Sequence, residues 1–236
     1  MVVRNTARAI LPALLAVLAG CATTGNPADP FEPVNRKIYA VNDTLDRYAL
    51  KPAAEGYRDV VPLPARTNVS NFFGNIEDVW TGFNNLLQGK PREGFSDFGR
   101  FAVNSTVGIL GFFDVASDIG LDKHDEDLGQ TLGRWGMGPG PYLMLPLFGP
   151  STVRDTAGAI PRQLVDPVAS VERIPVRNAV RGLRVVNGRA QLLGADSALD
   201  DAALDRYSYL RDFYLKSRLN QVHDGNPPRE KDDYYE

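Results

Sequence analysis

Between Asp127 and Asp155 the chain reads DLGQTLGRWGMGPGPYLMLPLFGPSTVRD, and no other stretch limits the fold as sharply. Gly129, Gly133, Gly136, Gly138, Gly140 and Gly149 are interleaved with Pro139, Pro141, Pro146 and Pro150. That density bars a long helix and a plain central strand, so the spacing predicts a shaped loop. The same stretch carries Trp135, Met137, Tyr142, Leu143, Met144, Leu145, Leu147 and Phe148, side chains that water does not favour. Two readings follow: a loop buried in the core, or a loop that touches lipid or lines an apolar passage.

The chain begins with Arg4 and Arg8 and an apolar run from Ala9 to Gly20, too short to cross a bilayer and shaped like a secretory signal peptide. The run closes on Leu18-Ala19-Gly20-Cys21, which resembles a bacterial lipobox. Cys21 is the single cysteine, which excludes an internal disulfide and a Cys-rich zinc site and leaves lipid attachment as its best use. Ala22 follows it, whereas Asp at that place resembles an inner-membrane retention signal, so the outer membrane is favoured. The expected organisation is a signal peptide over 1–20, a lipidated tether over 21–28, one helical domain over 29–222 and a loose tail over 223–236. At 236 residues with 43% hydrophobic content the chain can bury a sizeable core. Its formal charge of -3 argues against nucleic-acid binding.

The periodicity predicts helices. Asp29-Pro30-Phe31-Glu32 reads as a capping box opening a helix with Val34, Ile38, Val41, Leu45 and Tyr48 on one stripe, ending before Pro52. Lys51 to Asn68 reads as an extended connector because of Pro52, Pro62 and Pro64. A strong helix spans Val69 to Gln88, and Phe95 to Phe113 suggests another folded back on it after Gly89. Their Phe-rich stripes are either core or a hairpin lying flat in the lipid interface. The cluster Asp122 to Asp127 reads as a solvated loop; it lacks the turn Gly of an EF-hand, and no metal site is expected. From Val176 to Leu193 a helix is expected to turn Val176, Ala179, Val180, Leu183, Val186, Ala190 and Leu193 inward. Its other face stacks Arg177, Arg181 and Arg184 as a ridge that is either solvated or touches lipid phosphate or an acidic partner. Ser197 to Asp200 reads as a capping box for a last helix reaching Val222. There is no G-x-S-x-G elbow, phosphate loop or H-E-x-x-H helix, and His124 and His223 are the only histidines, so an enzyme is not expected.

In order along the chain stand Asp29-Pro30-Phe31-Glu32 with Asn35-Arg36, Pro64-Ala65-Arg66, Leu86-Leu87-Gln88-Gly89, Arg100-Phe101 with Asp114-Val115-Ala116, Gly129-Gln130-Thr131-Leu132-Gly133, Gly140-Pro141-Tyr142, and Arg189-Ala190-Gln191-Leu192-Leu193. On these motifs the chain resembles the MlaA (VacJ) family of outer-membrane lipoproteins over nearly all of its mature length. The resemblance implies an all-α, compact, ring-like body of amphipathic helices in the inner leaflet of the outer membrane, lipid-anchored on the periplasmic side. It implies a channel that removes misplaced phospholipids from the outer leaflet and passes them to the periplasmic carrier MlaC, in association with a trimeric porin and with no cofactor beyond the lipid on Cys21. The competing function is that of a structural, porin-associated lipoprotein without lipid conduction. For the channel lining the sequence offers Tyr142, Met144, Leu145, Leu147 and Phe148; for phosphate or partner contact, Arg177, Arg181 and Arg184.

Replacing Cys21 with Ser is expected to leave an unprocessed, unacylated precursor that fractionates away from the outer membrane. Stable anchoring needs two or more acyl chains. Intact mass and membrane fractionation read the outcome, and a processed, acylated Cys21→Ser protein would exclude this anchor.

Overall fold

The computed structural model describes residues 26–196 and 205–228. Cys21, the signal peptide, the Ser197 to Asp200 box and Leu199 and Ala203 of the expected last helix lie outside them. The all-α expectation holds with one addition, a short β-hairpin. Nine α-helices are described: α1 Glu32–Leu45, α2 Lys51–Val60, α3 Leu63–Leu87, α4 Pro91–Thr106, α5 Val115–Asp118, α6 Leu128–Arg134, α7 Val153–Val165, α8 Ile174–Leu192 and α9 Arg206–Val222. Strands β1 Tyr142–Leu145 and β2 Gly149–Thr152 pair antiparallel, with Tyr142 opposite Thr152 and Met144 opposite Pro150. No described helix is long and apolar enough to cross a membrane.

Several local expectations change. Helix α1 begins at Glu32 without a side-chain cap. Asp29, expected to be that cap, is fully buried and accepts hydrogen bonds from Asn35 Nδ2 at 2.8 Å and from the Tyr207 hydroxyl, with Arg211 Nη1 at 3.4 Å. A carboxylate with partners from both ends of the chain gains more than a local cap supplies. Pro52 does not end the helix. A π-turn over Asp46–Leu50, closed by the Lys51 N–H on the Asp46 carbonyl, joins α1 to α2 and makes room for Pro52 at the second residue of α2. Pro64 sits likewise in the first turn of α3, so the expected extended connector is helical.

Helices α3 and α4 form a hairpin whose packing is inverted. Their contact faces bury Asn75, Asp78, Thr81, Asn84, Asn85, Asp97, Arg100 and Asn104, while Phe83, Leu86, Leu87, Phe95 and Phe101 are exposed. The Phe-rich stripe of α3 is thus not closed into a core: Phe73 is buried and Phe72, Ile76, Val79 and Trp80 are half-buried, while its C-terminal end at Phe83, Leu86 and Leu87 is exposed. Among the described residues eighteen buried side chains are polar or charged and nine are apolar, the reverse of a chain that folds by hiding its apolar residues from water. The two helices approach closely at Gly82 and Gly94, where a Cβ on Gly94 would stand 2.9 Å from the Gly82 carbonyl oxygen. Asn85 donates to Asp97 at 2.7 Å, and Arg100 makes a forked pair with Asp114 at 2.9 and 3.0 Å. Helix α4 stops at Thr106 rather than Phe113, because Ile109 and Leu110 turn left-handed at φ 53° and 58°. A β-branched residue there is strained, and the turn leaves Val107, Ile109, Leu110 and Phe113 exposed.

The acidic cluster is a loop, as expected, with Asp122 and Asp125 exposed, but its other members are tied down. His124 contacts the buried Asp97 at 2.8 Å, Glu126 accepts from Lys90 and Gln88 at 2.9 Å each, and Asp127 caps α6 and pairs with Arg218. No group of three His, Cys, Asp or Glu side chains among the described residues could hold a metal. At the other end Asp224, in the expected loose tail, is held by Lys90 and by Arg134 at 2.9 Å. Helix α8 meets the expectation only in part: Ala190 is buried and Val180, Val186 and Leu193 are half-buried, but Val176, Ala179 and Leu183 are exposed and the polar Asn187 is buried in their stead. The apolar core is small, built on Tyr142, Met144 and Tyr207 with Ile38, Tyr39, Leu210, Tyr214 and Leu215 packed around them.

Burial alone would raise the carboxyl of Asp114, but hydrogen bonds from Ser117, Asn104 and Arg100 outweigh it and hold the group at about 2, below its ordinary 3.8. A depressed folded value contributes stability that is present above pH 4 and lost as pH falls through about 2, on the order of 2 kcal/mol. Asp114→Asn is therefore expected to lower the thermal midpoint at pH 6, and the gap to the native protein is expected to close between pH 4 and pH 2. A gap that stays constant over that range would remove Asp114 from the stabilising network.

Candidate functional site

The inverted hairpin, α7 and α8 together enclose a groove of about 400 Å³. Its wall is apolar: Ile76, Val79, Trp80 and Phe83 come from α3 at helical spacing, Phe101 from α4 and Val165 from the end of α7. At one end the chemistry changes. Glu77, Arg162, Asp166 and Arg184 meet there, with Arg162 Nη2 and Arg184 Nη2 each 2.6 Å from the same oxygen, Glu77 Oε1. Arg184 Nη1 lies 3.3 Å from Asp166 Oδ2, and its guanidinium stands 5.4 Å above the Phe73 ring. Pro161 lies inside α7 and Asp166 closes it, capping the 3-10 turn that follows by accepting from the Val168 N–H. That ending sets Arg162, Val165 and Asp166 beside α3.

A second cavity, of about 580 Å³, is polar and lies among α1, the π-turn, the hairpin and the ends of α8 and α9. Arg189 donates to both oxygens of Asp46 at 2.7 and 2.9 Å and to Asp196 at 2.9 Å, and Lys51 also reaches Asp196 at 3.0 Å. Burial would raise the Asp196 carboxyl, but these donors hold it below the usual carboxylate range. A third cavity of about 650 Å³ lies under Gly136, Gly138, Pro139 and Gly140, with Leu215, Leu219 and Val222 of α9 opposite. The Gly- and Pro-rich stretch thus runs between two cavities and does not line a single one.

The residues singled out from the sequence separate accordingly. Tyr142 is 0% and Met144 2% exposed, both in the core, and Met144 also borders the polar cavity. The Tyr142 hydroxyl is pushed above the ordinary tyrosine value by burial and then by the charge of Asp29. Leu145 is half-buried and its carbonyl accepts from Asn42. Leu147 and Phe148 are 76% and 75% exposed at the hairpin tip, where Leu147 adopts φ 68°. These five side chains do not share a wall. Of the arginine ridge Arg184 lines the groove described above; Arg177 is half-buried and Arg181 exposed. Glu77 on α3 and Arg162 and Asp166 at the end of α7 form no local motif and are not legible in the sequence; the aromatic stripes that carry Trp80 and Phe83 on α3 and Phe101 on α4 are the signal it offers.

Known proteins resemble this chain along most of its length. The sequence pattern of the family described as MlaA lipoprotein matches residues 27–221. The intermembrane phospholipid transport system lipoprotein MlaA of Escherichia coli (strain K12) is 38% identical over 208 residues, covering 85% of this chain and 82% of that protein. The protein of the same name from Haemophilus influenzae is 31% identical over 231 residues, 92% of each chain. A solved chain described under the structural basis for maintenance of bacterial outer membrane lipid asymmetry superposes with a TM-score of 0.72 at 35% identity, covering 84% of this chain and 99% of that one.

The split within the Gly- and Pro-rich stretch has a measurable consequence. Met144→Asp places a charge in the apolar core and is expected to cost several kcal/mol and remove the folded protein. Leu147→Asp and Phe148→Asp, at exposed positions, are expected to leave the thermal midpoint within a few degrees of the native value. Thermal unfolding in mild detergent reads both; equal loss of fold at positions 144 and 147 would refute the separation into core and tip.

Proposed function

The chain belongs to the MlaA lipoprotein family, and from that premise we propose that it removes mislocalised phospholipid from the outer leaflet of the outer membrane and maintains lipid asymmetry there. In this reading it is anchored through Cys21 on the periplasmic side, forms a ring-like body in the inner leaflet beside a trimeric porin, and hands lipid to the periplasmic carrier MlaC. The observation that supports it most directly is the inverted packing. A protein in water gains by burying Phe83, Phe95 and Phe101; one seated among acyl chains gains by exposing them and closing its polar groups on one another. The amphipathic groove then offers a lipid an apolar wall for a chain and a charged end for a head. The work is transfer without covalent chemistry: the groove supplies contacts of both kinds and no paired nucleophile and base.

The experiment places a charge in the groove at a position that tolerates exposure. Phe101→Asp is expected to yield a folded protein that still copurifies with porin but lets outer-leaflet phospholipid rise to the level of a strain lacking the gene. Outer-leaflet labelling of intact cells measures it. Normal asymmetry in the strain lacking the gene would sink the transport reading in favour of a structural lipoprotein, and release of fatty acid from labelled phospholipid by the purified native protein would make it a lipase.

A further inference from the structure

We propose that the charged end of the groove is a headgroup site that selects a zwitterionic aminophospholipid over an anionic one, with Arg162 and Arg184 taking the phosphate and Glu77 and Asp166 taking the ammonium. The proposal rests on the phospholipid reading above and adds to it the headgroup class and the residues that read it.

Three features of the geometry carry it. First, two guanidiniums converge on a single carboxylate oxygen, Glu77 Oε1, each at 2.6 Å. One acceptor cannot satisfy two five-donor forks, so most of their N–H groups remain available for a tetrahedral oxyanion. Second, the cluster is balanced. Within the lining of the groove Arg162 and Arg184 face Glu77 and Asp166, two positive charges against two negative, and on the far side of Glu77 Asp125 and Lys123 add one of each sign. A phosphate displacing Glu77 from the guanidiniums leaves that carboxylate in need of a cation, and a headgroup ammonium a few atoms away on the same lipid supplies it. A headgroup that brings a phosphate and no cation leaves both carboxylates against a third negative charge in a partly desolvated place, which costs affinity. Third, the cluster sits at the end of an apolar wall of Ile76, Val79, Trp80, Phe83, Phe101 and Val165, so a head placed here lays its chain on that wall. The Trp80 indole N–H, buried without an acceptor among the described residues, adds an unspent donor to the same region.

Trp80 also reports occupancy. The chain has two tryptophans, and the exposed Trp135 can be replaced by Phe, leaving Trp80 as the single emitter in the groove. The full-length Trp135→Phe protein in dodecylmaltoside micelles is titrated with phosphatidylethanolamine, phosphatidylglycerol or diacylglycerol, each carrying brominated acyl chains. Saturable quenching by the ethanolamine lipid is expected at about a tenfold lower mole fraction than by the glycerol lipid, the factor that one lost charge-assisted contact produces. Glu77→Gln removes a carboxylate and is expected to erase or reverse that preference. Arg162→Gln with Arg184→Gln is expected to bring both phospholipids down to the quenching given by diacylglycerol; if the double variant fails to fold by circular dichroism, Glu77→Gln alone decides.

Equal quenching by the three native-site titrations overturns the proposal. So does displacement of the ethanolamine lipid by millimolar inorganic phosphate, which would assign the arginines to a free anion. These outcomes are separable from failure of the transport reading. Normal lipid removal in cells with no headgroup preference rejects this site alone, whereas absence of lipid removal by the native protein rejects the transport reading whatever Trp80 reports.

Discussion

Arg100 is the interaction on which the rest of the hairpin depends. It is buried between α3 and α4, 3.4 Å from Asp78 and doubly bonded to Asp114, and it donates to Ser117 and to the Leu121 carbonyl. One cation thus ties α4 to α3, to the cap of α5 and to the loop that follows. A buried ion pair is weak support for stability in a protein whose alternative is an apolar core in water. In a hairpin that exposes Phe83, Leu86, Leu87, Phe95 and Phe101 that alternative is gone, and in the membrane seating proposed above polar groups turned outward would meet acyl chains. The polar groups must find one another, and Arg100, Asn104 and Asn85 pair most of them; Asp78 is held only by ion pairs, at 3.4 Å to Arg100 and 3.5 Å to Lys123, and Asn75 Oδ1 accepts no hydrogen bond. Asp97 joins through Asn85 and His124, and burial pushes Asp78 upward against the pull of Lys123 and Arg100.

The same logic extends to the chain ends. Asp29, near the start of the described residues, is locked to Tyr207 and Arg211 of α9, while Arg218 on the next turns of α9 holds Asp127 and Asp155. Burial acts against both carboxylates, and hydrogen bonds from Arg218 more than compensate, holding them below the ordinary range. Helix α9 therefore acts as a clasp whose teeth are charged pairs spaced along one face, closing on the hairpin β1–β2 and on α6. The polar and the Gly-lined cavities lie on either side of this clasp. A frame held by directional ion pairs can keep voids open beside it, since it does not gain by collapsing apolar surface into them.

This explains what could and could not be read from the sequence. The extent of α8, the C-terminal end of α3 and the break at Gly89 were legible because periodicity and punctuation are local, whereas the first turns of α3 were not, since Pro62 and Pro64 read as an extended connector. The orientation of those helices was not: a stripe of Phe72, Ile76, Val79 and Phe83 states that a helix is amphipathic and is silent on which solvent receives the stripe. Pro52 misled because a π-turn makes room for a proline in a continuing helix, and that depends on the i−5 bond from the Lys51 N–H to the Asp46 carbonyl, which has no sequence mark. Tyr142 and Met144 hid in a loop of breakers because the ladder that buries them is only four residues long, too short to alternate visibly. The groove's rim was illegible for a simpler reason. Glu77, Arg162 and Arg184 come from three helices, and only the fold brings them within 2.6 Å.

The charge balance of that rim bears on how a transfer site must work. A site that conducts cannot hold its cargo as tightly as a receptor does, because a lipid that gains too much on entry does not leave. Two unopposed arginines at the end of an apolar groove would bind phosphate and chain together and trap the lipid. Glu77 prevents this by occupying the same donors when the groove is empty. Entry of a head is then an exchange of one anion for another on the guanidiniums, with the displaced carboxylate re-partnered, and the net electrostatic change is small. Selectivity survives, because it depends on whether the displaced carboxylate finds a cation, while residence is kept short by the competitor built into α3. The apolar wall would contribute in the same sense: in the proposed seating the exposed Phe83 and Phe101 would be solvated by neighbouring acyl chains, so a lipid chain laid on them would gain little that it must give up on departure.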